Sequence, residues 1–184
     1  MRCSSVWAAG VVNRNALASR PTTRDTRQWI LHWNEKFEPR KYRGVAEFGT
    51  HICVVGSLSN LTPVRWLDSF HTEHCVWEQR SPMRLAWAYP SAVVLGEHIY
   101  AIGGYTGTKC TAIVERYNPQ TNQGTMVAPM NPVRSNAAAC VFKGRLYVSG
   151  GFNGQHALAS VEQVHARARP MAPYSRGSHR FSGQ

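Results

Sequence analysis

Acidic side chains are scarce in this chain: ten Asp and Glu stand against 21 Lys and Arg, a formal net charge of +11. Such an imbalance raises the question of nucleic acid, and its location answers it. Residues 1–42 hold eight basic and three acidic side chains, residues 43–164 nine and seven, and residues 165–184 four and none. The excess lies at the two ends, not on a clustered basic face of the kind that a phosphate backbone requires. No specific nucleic-acid partner is expected, and the rival reading is salt-sensitive contact through the basic ends. Long apolar runs are also missing. None approaches the ~20 residues of a membrane-spanning helix, so no membrane partner is expected. Cysteine is sparse, with five residues and no Cys-x-x-Cys, which fits a reduced, cytoplasmic compartment. Cys53 and Cys140 fall in apolar runs and read as small core residues. There is no Gly-x-Gly-x-x-Gly, no phosphate-binding loop and no Gly-x-Ser-x-Gly. No enzyme, cofactor or metal is expected.

What is present is a repeat. Glu97 to Gly104 contains four consecutive apolar residues closed by two glycines, a pattern that predicts a short strand buried on both faces. Gly150-Gly151 close a similar run 47 residues later, and Ile52 to Gly56 occupies the same slot 47 residues earlier. Pro82-Met83 and Pro129-Met130 keep that step, as do Asp68, Glu115 and Glu162, and Leu67, Val114 and Val161. A period in this range means a solenoid, a propeller or an array. Carboxylates that recur at one position of a repeat read as architecture, taking backbone N–H groups or an arginine, and not as catalytic acids.

The wording of these copies is specific. Ile99 to Tyr105, then Val114 to Asn122, then Val127 to Met130, resembles a kelch repeat, and is similar to the kelch-like family, whose members carry BTB, BACK and kelch domains. The resemblance implies an all-β fold: a partial, open kelch β-propeller of about three blades, with disordered basic arms. It places an N-terminal arm at 1–21, kelch repeats at 22–164 and a basic tail at 165–184. The blades fall at about 22–41 (partial), 42–88, 89–135 and 136–164 (truncated). Residues 1–20 hold three arginines and no acid, a transit-peptide-like composition; an unfolded arm is the reading taken, since the family works in the cytosol. Trp77 stands where an outer-strand Trp is expected, whereas Gly124 replaces it in the next copy, so that blade is expected to be looser. An open arc leaves two blade faces uncovered and favours association.

The resemblance also implies where a partner is held. In kelch-like proteins the loops at one mouth of the ring grip a protein or peptide substrate. The matching positions are Arg40, Tyr42, Trp87, Tyr89, Tyr105, Arg134, Asn136 and Phe152; Trp87 departs from the arginine of the pattern. The competing reading is that Arg134 braces the next blade and Tyr89 packs in its turn. The family supplies substrates to Cullin-3 ubiquitin ligases through the BTB domain, which nothing here resembles, so Cullin-3 is expected only through that missing part. Actin or scaffold binding without ubiquitin is the alternative. Copper galactose oxidases also use a kelch-type propeller, but no converging set of Tyr, His and Cys ligands can be assembled here. His71, His74 and Cys75 could supply three zinc ligands, yet they sit in a connecting turn without a spaced partner and read as turn residues.

Overall fold

The computed structural model describes residues 7–8, 16–19, 30–33 and 41–166, and every regular element among them is a β-strand. β1 (Trp7–Ala8), β2 (Ala16–Ser19) and β3 (Ile30–Trp33) form one antiparallel sheet. The first two strands fall inside the stretch read as an arm, and β3 inside the expected partial blade. The expected blade end at 22–29, Arg40 and the tail beyond 166 lie outside the described residues.

Three further sheets follow in chain order. Blade I is β4 (Gly44–Phe48), β5 (His51–Ser59), β6 (Thr62–His71) and β7 (Val76–Gln79). Blade II is β8 (Ser91–Leu95), β9 (His98–Ile102), β10 (Val114–Asn118) and β11 (Gln123–Val127). Blade III is β12 (Ala138–Phe142), β13 (Arg145–Ser149) and β14 (Val161–Val164). Each is an antiparallel meander in which neighbours in sequence are neighbours in the sheet. The 47-residue step reappears in the register: Val55 faces Leu67, Ile102 faces Val114, and Ser149 faces Val161.

Successive blades meet through their first strands, β4 against β8 and β8 against β12. That stacking makes a partial, open propeller. It also explains why β9 is apolar on both faces. Side chains alternate along a strand, so Ile99 and Ala101 pack toward blade I, with Val55, Leu67 and Trp87. Tyr100 and Ile102 pack toward blade III, with Leu146 and Val148. The face of blade III that corresponds to this second surface is open. Val161 is 64% exposed where its counterpart Val114 is 0% exposed. The same uncovered face corrects the expectation for Cys140. It is exposed, whereas Cys53 is buried and its thiol is pushed up to about 12 by burial.

Buried carboxylates clasp the chain between blades. Glu115 is fully buried on β10, and its two oxygens accept the backbone N–H of Arg84 at 2.8 and 3.0 Å. Glu162 accepts the N–H of Asn131, 47 residues after Arg84, at 2.7 Å. Both donors follow the Pro-Met turns, so each clasp fixes the loop that enters a blade. Gly124 then has a structural reason. A Cβ there would meet Oε1 of Glu115; the longer carboxylate occupies space next to the position where blade I, with the shorter Asp68, has Trp77.

Candidate binding site at the blade mouth

The mouth is built by a hydrogen-bonded frame that repeats from blade to blade. After β9 the chain turns at Gly103 and Gly104, with φ of 62° and 111°. Glycine is required at Gly103, because a Cβ would run into the carbonyl oxygen of Arg134. The N–H of Gly104 donates to that same carbonyl at 2.7 Å, just as Ser57 donates to the Trp87 carbonyl at 2.7 Å one blade earlier. Paired bonds then tie each post-glycine residue to the entry loop of its own blade. Ala88 and Tyr105 exchange bonds of 2.8 and 2.7 Å, Ser135 and Phe152 two of 2.9 Å, and Lys41 and Leu58 bonds of 3.2 and 2.8 Å.

One further chain of bonds crosses between blades. Tyr89 donates its N–H to the Tyr42 carbonyl at 2.8 Å, and Asn136 donates to the Tyr89 carbonyl at 2.9 Å. These three residues share a left-handed backbone, with φ of 58°, 57° and 53°. For a non-glycine residue that conformation costs on the order of 1–2 kcal/mol. It persists because the frame fixes the backbone on both sides. Its effect is to present three side chains at one level around the mouth. The rings of Tyr42 and Tyr89 stack at 4.2 Å. Burial, followed by the neighbouring Tyr42 and Tyr105, holds the Tyr89 phenol above its ordinary value, so it remains a neutral donor and acceptor.

Between the entry loops of blades II and III and their post-glycine loops lies an open cavity of about 530 Å³. Tyr89, Tyr105, Asn136 and Phe152 line it, together with Thr108, Lys109, Cys110 and Ser135. Five of the eight expected residues therefore meet at one place, counting Tyr42 stacked on Tyr89. Two are not on this surface. Trp87 is 0% and Arg134 1% exposed, so neither side chain reaches it. Arg134 is a brace: its guanidinium donates to the Gly150 and Ser160 carbonyls at 2.7 and 3.2 Å and to Ser160 Oγ at 2.8 Å, with Glu162 3.9 Å away. Trp87 fills the equivalent slot of the previous repeat with an apolar body. Arg40 lies outside the described residues.

Lys109, Thr108, Cys110 and Ser135 were not anticipated from the sequence. Lys109 carried a signal, as an exposed cation in a Gly-rich turn between two residues of the frame. The cavity is thus aromatic on its walls and positive at one edge, and no carboxylate lines it. Cys110 donates to Ser135 Oγ at 3.3 Å, and that hydroxyl donates to the Phe152 carbonyl at 3.2 Å. This pair ties the frame together and is not a nucleophile beside a base.

With that geometry in place, the comparison with known families is decisive for the repeat. Residues 86–131 and 134–165 match the Kelch motif. Those two segments are similar to kelch repeats. The two matched segments contain blades II and III, and blade I shares their register. An F-box/kelch-repeat protein of Arabidopsis thaliana is 36% identical over 96 residues, which is 50% of this chain and 28% of that relative. The chain spans little more than a quarter of that relative's length. No helix among the described residues is long and apolar enough to cross a membrane.

Proposed function

We propose that the kelch blades form a non-enzymatic module that holds an extended peptide of a partner protein across the mouth of blades I to III. The observation that carries this reading is the convergence of Tyr42, Tyr89, Tyr105, Asn136 and Phe152 on one frame, four of them lining the 530 Å³ cavity. Tyr residues are among those that most often dominate interface energetics. The left-handed backbone at Tyr42, Tyr89 and Asn136 and the paired backbone bonds at Tyr105 and Phe152 fix where these residues start, which lowers the entropy lost on binding. Lys41 and Lys109 favour a peptide that carries a carboxylate.

The finer reading rests on sequence wording. Pro39 to Ala46 and Glu115 to Met130 resemble kelch-like protein 10 most, and that resemblance supports a role in substrate selection for a Cullin-3 ubiquitin ligase. The Arabidopsis relative pairs its kelch repeats with an F-box in name, so the choice of ligase rests on that wording alone. A pull-down with Cullin-3 from cells lacking full-length kelch-like proteins tests it. This chain alone is expected not to recover Cullin-3, and recovery would overturn the proposed division of labour. Peptide-library selection on the chain tests the mouth. Selected peptides are expected to lose at least about tenfold in affinity against Phe152→Ala; equal affinity sinks the assignment.

A further inference from the structure

At the opposite end of β5 from the mouth, about 20 Å along the strand, the fold gathers imidazoles that are spread through the sequence. His51 opens β5 and pairs directly with His71 at the end of β6, so both side chains project from one face. Their rings lie 4.6 Å apart. The β6–β7 turn then folds His74 back over His71, ring to ring at 4.3 Å. Glu73 belongs to the same turn, and ligand atoms of His71, Glu73 and His74 all lie within 4.8 Å of one another. The sequence pattern pointed to Cys75 as the third group, but its backbone turns left-handed at φ 55° and its thiol is directed to the Thr72 carbonyl at 3.8 Å.

We propose that His71, Glu73 and His74, beside the ring of His51, form a binding site for a zinc-class divalent cation. Imidazole and carboxylate donors suit zinc, and three such groups with a water in the fourth position meet its tetrahedral preference. Calcium or magnesium would want oxygen ligands throughout. Zinc bonds of 2.0–2.2 Å place donors roughly 3.4 Å apart, so the cluster must close by about 1.4 Å. Glu73 and His74 are exposed and can make that movement by changing rotamer. Nδ1 of His71 already points into the turn. It accepts the N–H groups of Glu73 and His74 at 3.3 Å each, long contacts that a metal bond can replace. Arg80, whose charge is felt at His51, is paired with Glu78 at 2.6 Å, which offsets its repulsion of an incoming ion. The bound ion would pin the β6–β7 turn to the end of β6 and stiffen the outer edge of blade I, independently of the mouth.

The test is calorimetric titration of the full chain with zinc chloride, followed by cobalt substitution. One ion per chain is expected, with micromolar affinity and a cobalt spectrum that lacks a thiolate charge-transfer band. His74→Ala and Glu73→Gln, both at exposed turn positions and checked for an unchanged fold by circular dichroism, should each weaken binding by at least roughly tenfold. The double variant His71→Ala/His74→Ala should abolish it, and Cys75→Ala should leave it unchanged. Absence of binding by the unaltered chain, undiminished binding by the double variant, or loss of binding in Cys75→Ala would each overturn the proposal.

Discussion

Replacing Glu115 by Ala should remove a large part of the stability of the kelch blades. The side chain is fully buried and holds the Arg84 N–H through both oxygens. Truncation leaves that backbone donor without an acceptor, at about 1–3 kcal/mol, and opens a cavity beside Gly124, at about 2 kcal/mol more. The expected loss is roughly 3–5 kcal/mol, against a typical total of about 5–15 kcal/mol for a domain. Glu162→Ala is the internal comparison. It frees the N–H of the exposed Asn131 and withdraws the carboxylate 3.9 Å from the buried Arg134, which keeps its bonds to Gly150 and Ser160; the expected cost is about 1–2 kcal/mol. Urea unfolding followed by tryptophan fluorescence measures both, with an unchanged m-value showing that the difference is one of stability. A shift below about 1 kcal/mol for Glu115→Ala, or equal shifts for the two variants, would refute the clasp. The carboxylate also has a pH signature. Burial raises its pKa, while the backbone donors at Arg84 and Leu85 and the Arg84 charge oppose the rise. The folded state therefore holds the proton more tightly than the unfolded chain. Glu115's contribution is fully present below its ordinary value and declines as pH rises through its folded one. Glu115→Gln should remove that decline.

Gly124→Ala should destabilise blade II by about 1–3 kcal/mol through the contact with Glu115, and Glu115→Asp in the same chain should recover part of that loss. A double-mutant cycle measures the coupling, and strict additivity would contradict the packing described. Tyr89→Asn places at the left-handed position the residue already used at Asn136; folding stability should hold or rise slightly while affinity for selected peptides falls at least about tenfold. Thermal melts and peptide titrations on one preparation separate the two effects. Burial, then Arg116, holds His98 below its ordinary pKa, with Glu97 opposing. The folded state therefore resists protonation, and stability is lost as pH falls from the ordinary histidine value toward the folded one. His98→Gln should flatten that part of the melting-temperature profile, and an unchanged slope would exclude His98 as its source.

The sheets were legible because their signals are local and repeated. Glu97 to Gly104 reads as a strand buried on both faces, and β9 is one, since Ile99 and Tyr100 each meet a different neighbouring blade. The repeated carboxylates were legible as architecture for the same reason, and Glu115 and Glu162 hold equivalent backbone donors. Residues that follow the glycine pair, Tyr105 and Phe152, were readable as mouth residues from their place in the repeat. The fates of Trp87 and Arg134 were not, because a repeat position fixes where a backbone runs and not how deeply its side chain is covered. Cys140 failed as a core residue because an apolar run predicts a strand without saying whether another sheet lies over it. The histidine cluster was visible only in part: His71 and His74 stood out but read as turn residues, and His51, 20 residues away, becomes their neighbour only through the β5–β6 register.

The central claim is that the turns of successive kelch blades grip a partner's peptide at the mouth. Chemical-shift perturbation of the isotopically labelled chain by a peptide selected from a random library tests it most directly. The account predicts shifts concentrated at Tyr42, Tyr89, Tyr105, Lys109, Asn136 and Phe152, and their loss in Tyr89→Asn. Shifts confined to the open face of blade III around Val161, surviving Tyr89→Asn, would contradict it.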